Sequence, residues 1–226
     1  MAESNLELLR LAAARLEPLL DEIVFVGGAT VGLLITDSAA APLRTTLDVD
    51  VIAAVATYGD YIEFSERLRA QGFTEDVRED AVICRWRCSD LTLDVMPIDP
   101  SVLGFSNRWY AEAFLHAAPV DLPGRASIHV ITAPYLLGTK MEAFRGRGND
   151  DYLASQDLED FVAVIDGRPS IVEEIQNSES QLRGYLVHAA QTLLSEPRFR
   201  DVLPGYVLDE GRAPLILNRL RAIAAV

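Results

Sequence analysis

Lysine is almost absent from this chain. Lys140 is the only lysine, and every other residue of the Lys and Arg pair of types is an arginine. Acidic residues outnumber basic ones by 34 to 20, which gives a formal net charge of −14. A protein that binds nucleic acid over its whole surface needs a net positive charge. The net charge of this chain therefore argues against a general nucleic-acid-coating protein. A local basic groove is still compatible with the composition, and its candidates are Arg85, Arg87, Arg145 and Arg147.

Cysteine and long apolar runs are scarce as well. Cys84 and Cys88 lie four residues apart on a predicted strand, about 13 Å from each other and too far for a disulfide. Two cysteines and three scattered histidines make no zinc site. No run of about 18 apolar residues is present to span a membrane, and the acidic N-terminus lacks a secretory signal. We therefore expect a cytoplasmic protein with no membrane association.

The apolar pattern predicts an α+β fold, with an N-terminal mixed sheet and a mainly helical C-terminal half. Strands are expected at 23–26, 48–53, 83–88, 91–95 and 128–131, with Ser89 and Asp90 as a hairpin turn. Helices are expected at 5–20, 31–35, 61–71, 109–117, 134–144, 156–165, 171–194 with a break at Gly184, and 214–224. We place the boundary between the sheet region, 1–133, and the helical region, 134–226, near Ala133.

Asp48 and Asp50 carry the strongest functional signal. In an extended strand, residues two apart point to the same face, so these two carboxylates would lie together among apolar neighbours. Like charges in contact raise each other's pKa unless a positive group lies between them. A divalent metal with oxygen ligands is such a group, and Mg²⁺ fits best. A solvated strand edge would explain the same pair without any function.

Residues before and after this pair extend the pattern. The apolar run 23–26 ends in Gly27 and Gly28, with Thr30 shortly after, and a glycine turn before a helix offers backbone amides to a phosphate. Asp94 lies within the apolar stretch 91–96, where a carboxylate is costly unless it is paired or bound to metal. The sequence thus predicts three carboxylates on two strands, preceded by a glycine turn.

Together these motifs resemble the DNA polymerase β-like nucleotidyltransferase superfamily, and more closely its AbiEii-type nucleotidyltransferase toxins. The resemblance runs from about Val26 to Asp166 and is carried by Gly27-Gly28-Ala29-Thr30, Arg44, Thr46, Asp48, Asp50, Leu93-Asp94-Val95, Lys140, Glu142-Ala143 and Asp157-Leu158-Glu159-Asp160. Two departures stand out. The interval from Gly28 to Asp48 is longer than in the compact superfamily pattern, and Gln156 stands where many of these toxins have lysine.

The resemblance implies Mg²⁺-dependent transfer of a nucleoside monophosphate from a nucleoside triphosphate to a hydroxyl acceptor, with Mn²⁺ as a substitute ion. The implied metal ligands are Asp48, Asp50 and Asp94; the implied catalytic set adds Lys140 and Asp157; the implied nucleotide contacts are Gly27, Gly28, Thr30, Arg44 and Lys140. An RNA acceptor such as a tRNA end is implied too. So are a role as the toxin of a toxin–antitoxin or phage-defence system and a cognate antitoxin as partner.

Two basic residues allow more than one interpretation. Lys140 is retained in a chain that uses arginine elsewhere. The compact ammonium group of lysine and the planar guanidinium group of arginine are not equivalent at a phosphate, so the lysine could have a function there. Chance retention on a solvated helix face would give the same sequence. Arg44 either neutralises triphosphate charge or forms a structural ion pair with Asp48 or Asp50.

Three other functions stay open at this point. A small-molecule nucleotidyltransferase would use the same metal site, and a charge of −14 suits a cationic acceptor such as an aminoglycoside better than RNA. A protein-modifying transferase would place a hydroxyl side chain of its target in the acceptor position. A nucleotide- or partner-binding module would keep the fold without the reaction.

Overall fold

The computed structural model describes residues 2–78, 81–124, 127–146, 148, 150–207, 209 and 211–226. The chain divides into two compact units. The first comprises Met1–Gly32 and Arg44–Thr132, and the second comprises Leu33–Leu43 and Ala133–Val226. The segment Leu33–Leu43 thus belongs to the second unit, although the residues on both sides of it belong to the first.

Within its described residues, the first unit is built on one sheet of seven strands. The strands are β1 Ile23–Val26, β2 Val49–Ala53, β3 Thr74–Glu75, β4 Arg85–Cys88, β5 Leu91–Pro97, β6 Ala118–Asp121 and β7 Ser127–Val130. Their order is β3-β4-β5-β2-β1-β7-β6, with β2 parallel to β5, β1 parallel to β7, and the other neighbours antiparallel. The central strands β1, β2 and β5 are apolar and almost wholly buried, as expected where both faces of a sheet are covered.

The helices of the first unit are α1 Ala2–Arg15, α3 Tyr58–Ala70 and α4 Tyr110–Leu115, while α2 Val31–Leu34 begins in this unit and ends in the second. A capping box between Thr57 and Asp60 starts α3, and Gly72, at a φ of +86°, follows its end. The helix predicted to reach residue 20 ends at Arg15 instead. A separate 3-10 turn, Glu17–Glu22, follows with Pro18 at its start, because proline cannot donate the next helical hydrogen bond.

The second unit contains only helices among its described residues. After the end of α2, they are α5 Ala133–Arg145, α6 Gln156–Gly167, α7 Ile171–Gln176, α8 Ser180–Ser195, α9 Pro197–Val202, a 3-10 turn at Leu203–Tyr206, and α10 Arg212–Ala224. The break predicted at Gly184 was wrong, since Gly184 lies inside α8. The chain breaks before Ser180, where the guanidinium of Arg183 donates to the carbonyls of Gln176 and Ser178 at 2.9 and 3.2 Å and so caps the end of α7.

The predicted α+β class, with its mixed sheet and later helices, is confirmed. The hairpin across Ser89 and Asp90 is present, with Ser89 at a φ of 52°. The two outermost strands, β3 and β6, were not predicted; β3 has only 2 residues and β6 contains Pro119. In the part of the chain that the structure describes, no helix is both long and apolar enough to cross a membrane.

Candidate active site

Strand pairing in the first unit brings the predicted acids together. Asp50 of β2 lies beside Asp94 of β5 in parallel register, and Arg85 of β4 lies opposite Asp94 in antiparallel register. Val26 of β1 continues the row on the other side of Asp50. Residues paired across neighbouring strands project to the same face of a sheet. The row therefore presents one arginine and two aspartates on one face, and Asp48 lies just before β2.

Arg85 holds two of the three carboxylates. Its Nε donates to Asp94 Oδ1 at 2.8 Å, and its Nη2 donates to Asp94 Oδ2 at 2.7 Å, which makes a bidentate pair. The same Nη2 donates to Asp48 Oδ2 at 2.8 Å. The Asp94 side chain is 10% exposed and the Asp48 side chain is 35% exposed. The more buried acid, Asp94, therefore has the stronger pairing with Arg85, and the more exposed acid, Asp48, has the weaker one. The sequence predicts Arg85 as a candidate for a basic groove, whereas the structure places it among the acids.

A buried asparagine fixes the segment that leads into Asp48. The side chain of Asn5, on α1, donates to the Arg44 carbonyl at 3.0 Å and accepts from the Thr46 amide at 3.1 Å. The Thr46 hydroxyl in turn donates to the Asp48 carbonyl at 3.2 Å. Asn5 was not predicted as a site residue. It lies on the buried face of α1 with Leu9, and a polar residue in an apolar stripe is the signal that could have revealed it.

Gly27 makes room for Asp50. Its backbone has a φ of 72° and a ψ of −164°, a region that is essentially restricted to glycine. A Cβ atom added here would lie 2.6 Å from Asp50 Cγ and 2.9 Å from Asp50 Cβ, and closer still to Oδ2. The backbone of Gly27 and the carboxylate of Asp50 are therefore in direct contact. The glycine turn and the metal-ligand candidate form a single local structure.

The rest of the glycine turn is buried. The amide of Thr30 donates to the Gly27 carbonyl at 3.3 Å, and its hydroxyl donates to the same carbonyl at 2.9 Å. Thr30 thus closes the turn, and its role as a phosphate contact stays a prediction. Gly28 is buried within the same turn, while Arg44 is half-buried and its carbonyl is held by Asn5.

The acids also set the electrostatics of their neighbours. Hydrogen bonding to Asp94 raises the pKa of the Arg85 guanidinium above its ordinary value, against the opposing effect of burial. Burial raises the pKa of the Cys84 thiol to about 12, and the charges of Asp94 and Asp50 add to the rise. Cys84 and Cys88 are both free and buried. The Cys84 thiol stays protonated at neutral pH and is therefore no nucleophile.

By donor chemistry, the three acids fit a Mg²⁺ ion. Asp50 and Asp94 lie side by side on one face, Asp48 shares a cation with Asp94, and carboxylate oxygens are the ligands this hard ion prefers. Among the described residues, no group of three or more His, Cys, Asp or Glu side chains has the arrangement of a metal site. In this structure Asp48 and Asp94 both bind the guanidinium of Arg85.

The remaining predicted site residues lie in the second unit and form a cluster of their own. The ammonium group of Lys140, on α5, is 3.1 Å from Asp157 Oδ1 and 2.6 Å from Asp160 Oδ2, both on α6. All three residues are buried. The cluster ties α5 to α6, and Asp157, at the start of α6, is also favoured by the helix dipole. Lys140 is therefore not on a solvated helix face.

Two other arginines predicted for a basic groove, Arg87 and Arg145, contact neighbouring side chains in this structure. Arg87 is exposed and approaches Asp76 at 3.8 Å, so it belongs to a pair at the β3 edge of the sheet. Arg145 lies over the ring of Tyr185, with its guanidinium 5.4 Å from the ring centre. Arg147 lies outside the described residues.

Comparison with known proteins identifies a shared fold. Neither a family model nor a curated protein matches the chain. The solved structure of JHP933 from Helicobacter pylori matches with a TM-score of 0.51 and 12% identity, over 99% of this chain and 92% of that chain. An antigenic nucleotidyltransferase-like protein from Paracoccidioides brasiliensis matches with a TM-score of 0.49 and 16% identity, over 84% of this chain and 88% of that chain. Identities this low concern the fold alone. The chain therefore shares the fold of JHP933, and membership of the AbiEii-type family stays a prediction.

Proposed function

We propose that this protein is a metal-dependent nucleotidyltransferase that transfers a nucleoside monophosphate from a nucleoside triphosphate to a hydroxyl group. The observation that carries the proposal is the row formed by Asp50 and Asp94, with Asp48 held beside it and Gly27 packed against Asp50. Chance acidic residues on strands do not require a glycine with a glycine-only backbone next to them. The resemblance of the motifs to nucleotidyltransferases supports the same activity.

Asp48, Asp50 and Asp94 are the residues that would hold Mg²⁺ or Mn²⁺. Bound there, the ion would neutralise triphosphate charge and lower the pKa of the acceptor hydroxyl. The hydroxyl oxygen then forms a bond to the α-phosphorus, and the bond from that phosphorus to the pyrophosphate oxygen breaks. The hydroxyl proton passes to a carboxylate of the cluster, which we assign to Asp94.

Backbone and basic groups supply the remaining parts of the proposal. The turn at Gly27 and Gly28 would place the triphosphate against main-chain amides, because the absence of a side chain allows close approach. We assign Arg44 to triphosphate charge and Lys140 to the charge on the leaving pyrophosphate. For Lys140 this requires the ammonium group to act while Asp157 and Asp160 hold it, so these acids would position it.

An RNA acceptor, such as the end of a tRNA, is the acceptor we propose first. With it we propose a role as the toxin of a toxin–antitoxin or phage-defence system and a cognate antitoxin as partner. These points rest on the resemblance of Gly27-Gly28-Ala29-Thr30, Asp48, Asp50 and Asp94 to the AbiEii-type toxins.

The test is a labelling reaction with purified protein, Mg²⁺, total tRNA and each α-³²P-labelled nucleoside triphosphate in turn. We expect label on tRNA from one nucleotide, a loss of at least about a hundredfold in Asp48→Asn, and full transfer in Asp121→Asn. Asp121 is a matched control because it is an exposed aspartate on β6, at the far edge of the sheet. Label that persists in Asp48→Asn would refute the assignment of the metal site.

A small-molecule acceptor is the second candidate, and the net charge of −14 favours it. An acidic protein attracts a polycationic acceptor and repels a polyanionic one. The same reaction with aminoglycosides in place of tRNA distinguishes the two. Label on an aminoglycoside but not on tRNA would replace the RNA proposal and leave the nucleotidyltransferase intact.

A further inference from the structure

The guanidinium of Arg85 is built into the acidic cluster rather than placed beside it by chance. Its strand, β4, pairs with β5 so that Arg85 lies directly opposite Asp94. The guanidinium makes three hydrogen bonds to these acids. Two of them form the bidentate fork on Asp94, and the third reaches Asp48. Arg87, two residues further along the same strand, turns to Asp76 instead. The position within the strand therefore decides which arginine serves the cluster.

The three acids carry three negative charges on one small area, and Arg85 supplies one positive charge in contact with two of them. A bidentate pair with a nearly buried carboxylate is strong, while a single hydrogen bond to a carboxylate that is 35% exposed is weaker. A divalent ion that approaches Asp48 Oδ2 or Asp94 Oδ2 meets an oxygen that already accepts from Arg85 Nη2. Ion and guanidinium cannot both hold that oxygen at full strength, because each draws on the same negative charge.

We propose that Arg85 is an internal counter-cation that competes with the divalent metal for Asp48 and Asp94. Metal binding is then an exchange in which the two contacts of Arg85 Nη2, with Asp48 Oδ2 and Asp94 Oδ2, give way, while the contact of Nε with Asp94 Oδ1 persists. This inference rests on the proposed function, since it concerns the same metal site. It assigns Arg85 the role of a positioning residue that holds the acids together when no metal is bound and sets the metal concentration at which the site fills.

A counter-cation such as Arg85 has two effects on the cluster: it stabilises the metal-free protein and it weakens metal binding. Adjacent carboxylates repel one another, and the strands that carry them, β2 and β5, are central to the sheet. A positive group in their midst offsets that repulsion without any ligand. The same group weakens the site for metal, because every unit of charge it neutralises is unavailable to the incoming ion.

The test is a direct measurement of Mn²⁺ binding in the absence of nucleotide, by calorimetry or by the electron paramagnetic resonance signal of free Mn²⁺. We expect Arg85→Gln to bind Mn²⁺ roughly tenfold more tightly than the wild-type protein, since a competing charge-assisted contact to Asp48, which is 35% exposed, has been removed. Arg87→Gln is the matched control, because it removes the same charge from the same strand, and its Kd should equal that of the wild-type protein.

Thermal unfolding in metal-free buffer gives a second readout. Arg85→Gln should melt at a lower temperature than the wild-type protein without metal, and added Mn²⁺ should raise its melting temperature by more. Arg85→Lys keeps the charge but cannot form the bidentate fork on Asp94 and the contact with Asp48 together. Its Kd for Mn²⁺ should therefore lie between that of the wild-type protein and that of Arg85→Gln. If Arg85→Gln does not fold, a Kd for Arg85→Lys below that of the wild-type protein supports the exchange, and an equal or higher Kd refutes it.

The outcomes separate this inference from the proposed function. Equal or weaker Mn²⁺ binding by folded Arg85→Gln would refute the competition and leave the metal site standing. If neither the wild-type protein nor Arg85→Gln binds Mn²⁺, the metal site is refuted, and with it both the proposed function and this inference. Tighter binding by Arg85→Gln, with Arg87→Gln unchanged, supports both.

Discussion

The turn at Gly27 leaves no room for a side chain, and Gly27→Ala is the sharpest perturbation the site offers. The added methyl group would lie 2.6 Å from Asp50 Cγ and 2.9 Å from Asp50 Cβ, well inside van der Waals contact. Asp50 cannot retreat freely, because β2 is paired on both sides, to β1 and to β5. The substitution should therefore displace the carboxylate and the turn together.

Two separate costs determine the size of the effect. Forcing alanine into the backbone conformation of Gly27 costs about 1–3 kcal/mol, since that region is essentially restricted to glycine. Overpacking against Asp50 adds about 1–3 kcal/mol. We expect Gly27→Ala to lower the free energy of unfolding by about 2–6 kcal/mol in urea titrations and to abolish nucleotidyl transfer. Gly104→Ala is the control, because Gly104 has a φ of +78° but nothing within 4 Å of the added methyl group.

A double-mutant cycle isolates the contact with Asp50 from the backbone cost. Asp50→Ala removes the carboxylate that the new methyl group would meet, so Gly27→Ala should cost at least about 1 kcal/mol less in that background. The backbone strain is the same in both backgrounds and cancels. A coupling energy near zero, or a loss of stability in Gly104→Ala as large as in Gly27→Ala, would refute the argument that Gly27 is a glycine because of Asp50.

Three further predictions concern charges. Asp94→Asn should lower the free energy of unfolding by about 2–3 kcal/mol in urea, because the Arg85 fork loses its buried partner, whereas Asp48→Asn, at a more exposed acid, should cost less than about 1 kcal/mol. Lys140→Met leaves two buried acids of α6 without their ammonium group and should cost about 3–5 kcal/mol; adding Asp160→Asn should recover part of this loss, and no recovery would count against the pairing. Hydrogen bonding to Arg78 lowers the pKa of Asp76 from 3.8 to about 2. Its stabilising effect should be complete above about pH 4 and lost as the pH falls towards 2, so the difference in melting temperature between the wild-type protein and Asp76→Asn should shrink over that window.

Local patterns predicted most of the secondary structure. The central strands are continuous apolar runs, and α5, α6 and α10 show apolar residues at helical spacing, so these elements were predicted within a few residues. The short helix α9 was not predicted. The failures have local causes. Gly184 suggested a helix break by its low helix propensity, but an isolated glycine within a helix costs only about 1 kcal/mol. The real boundary is set by the side chain of Arg183, which reaches back to the carbonyls of α7.

The pairing of β2 with β5 could not be predicted from local patterns. These strands are separated by α3 and by β3 and β4, and parallel pairing is decided by tertiary packing. Asp48, Asp50 and Asp94 were predicted as one set because all three are aspartates in predicted strands and because their motifs resemble those of a known family. The structure adds the register, in which Asp50 and Asp94 are direct neighbours.

The contact between Arg85 and Asp94, in contrast, was within reach of the sequence. A hairpin with Ser89 and Asp90 as its two-residue turn pairs Cys88 with Leu91, and counting outward from that pair places Arg85 opposite Asp94, as the structure shows. Opposite charges directly across an antiparallel pair stabilise each other. Counting along the predicted hairpin would thus have moved Arg85 from a basic groove into the acidic cluster. The second contact of Arg85, with Asp48, depends on the distant strand β2, and for this reason the competition between Arg85 and a metal ion follows only from the folded structure.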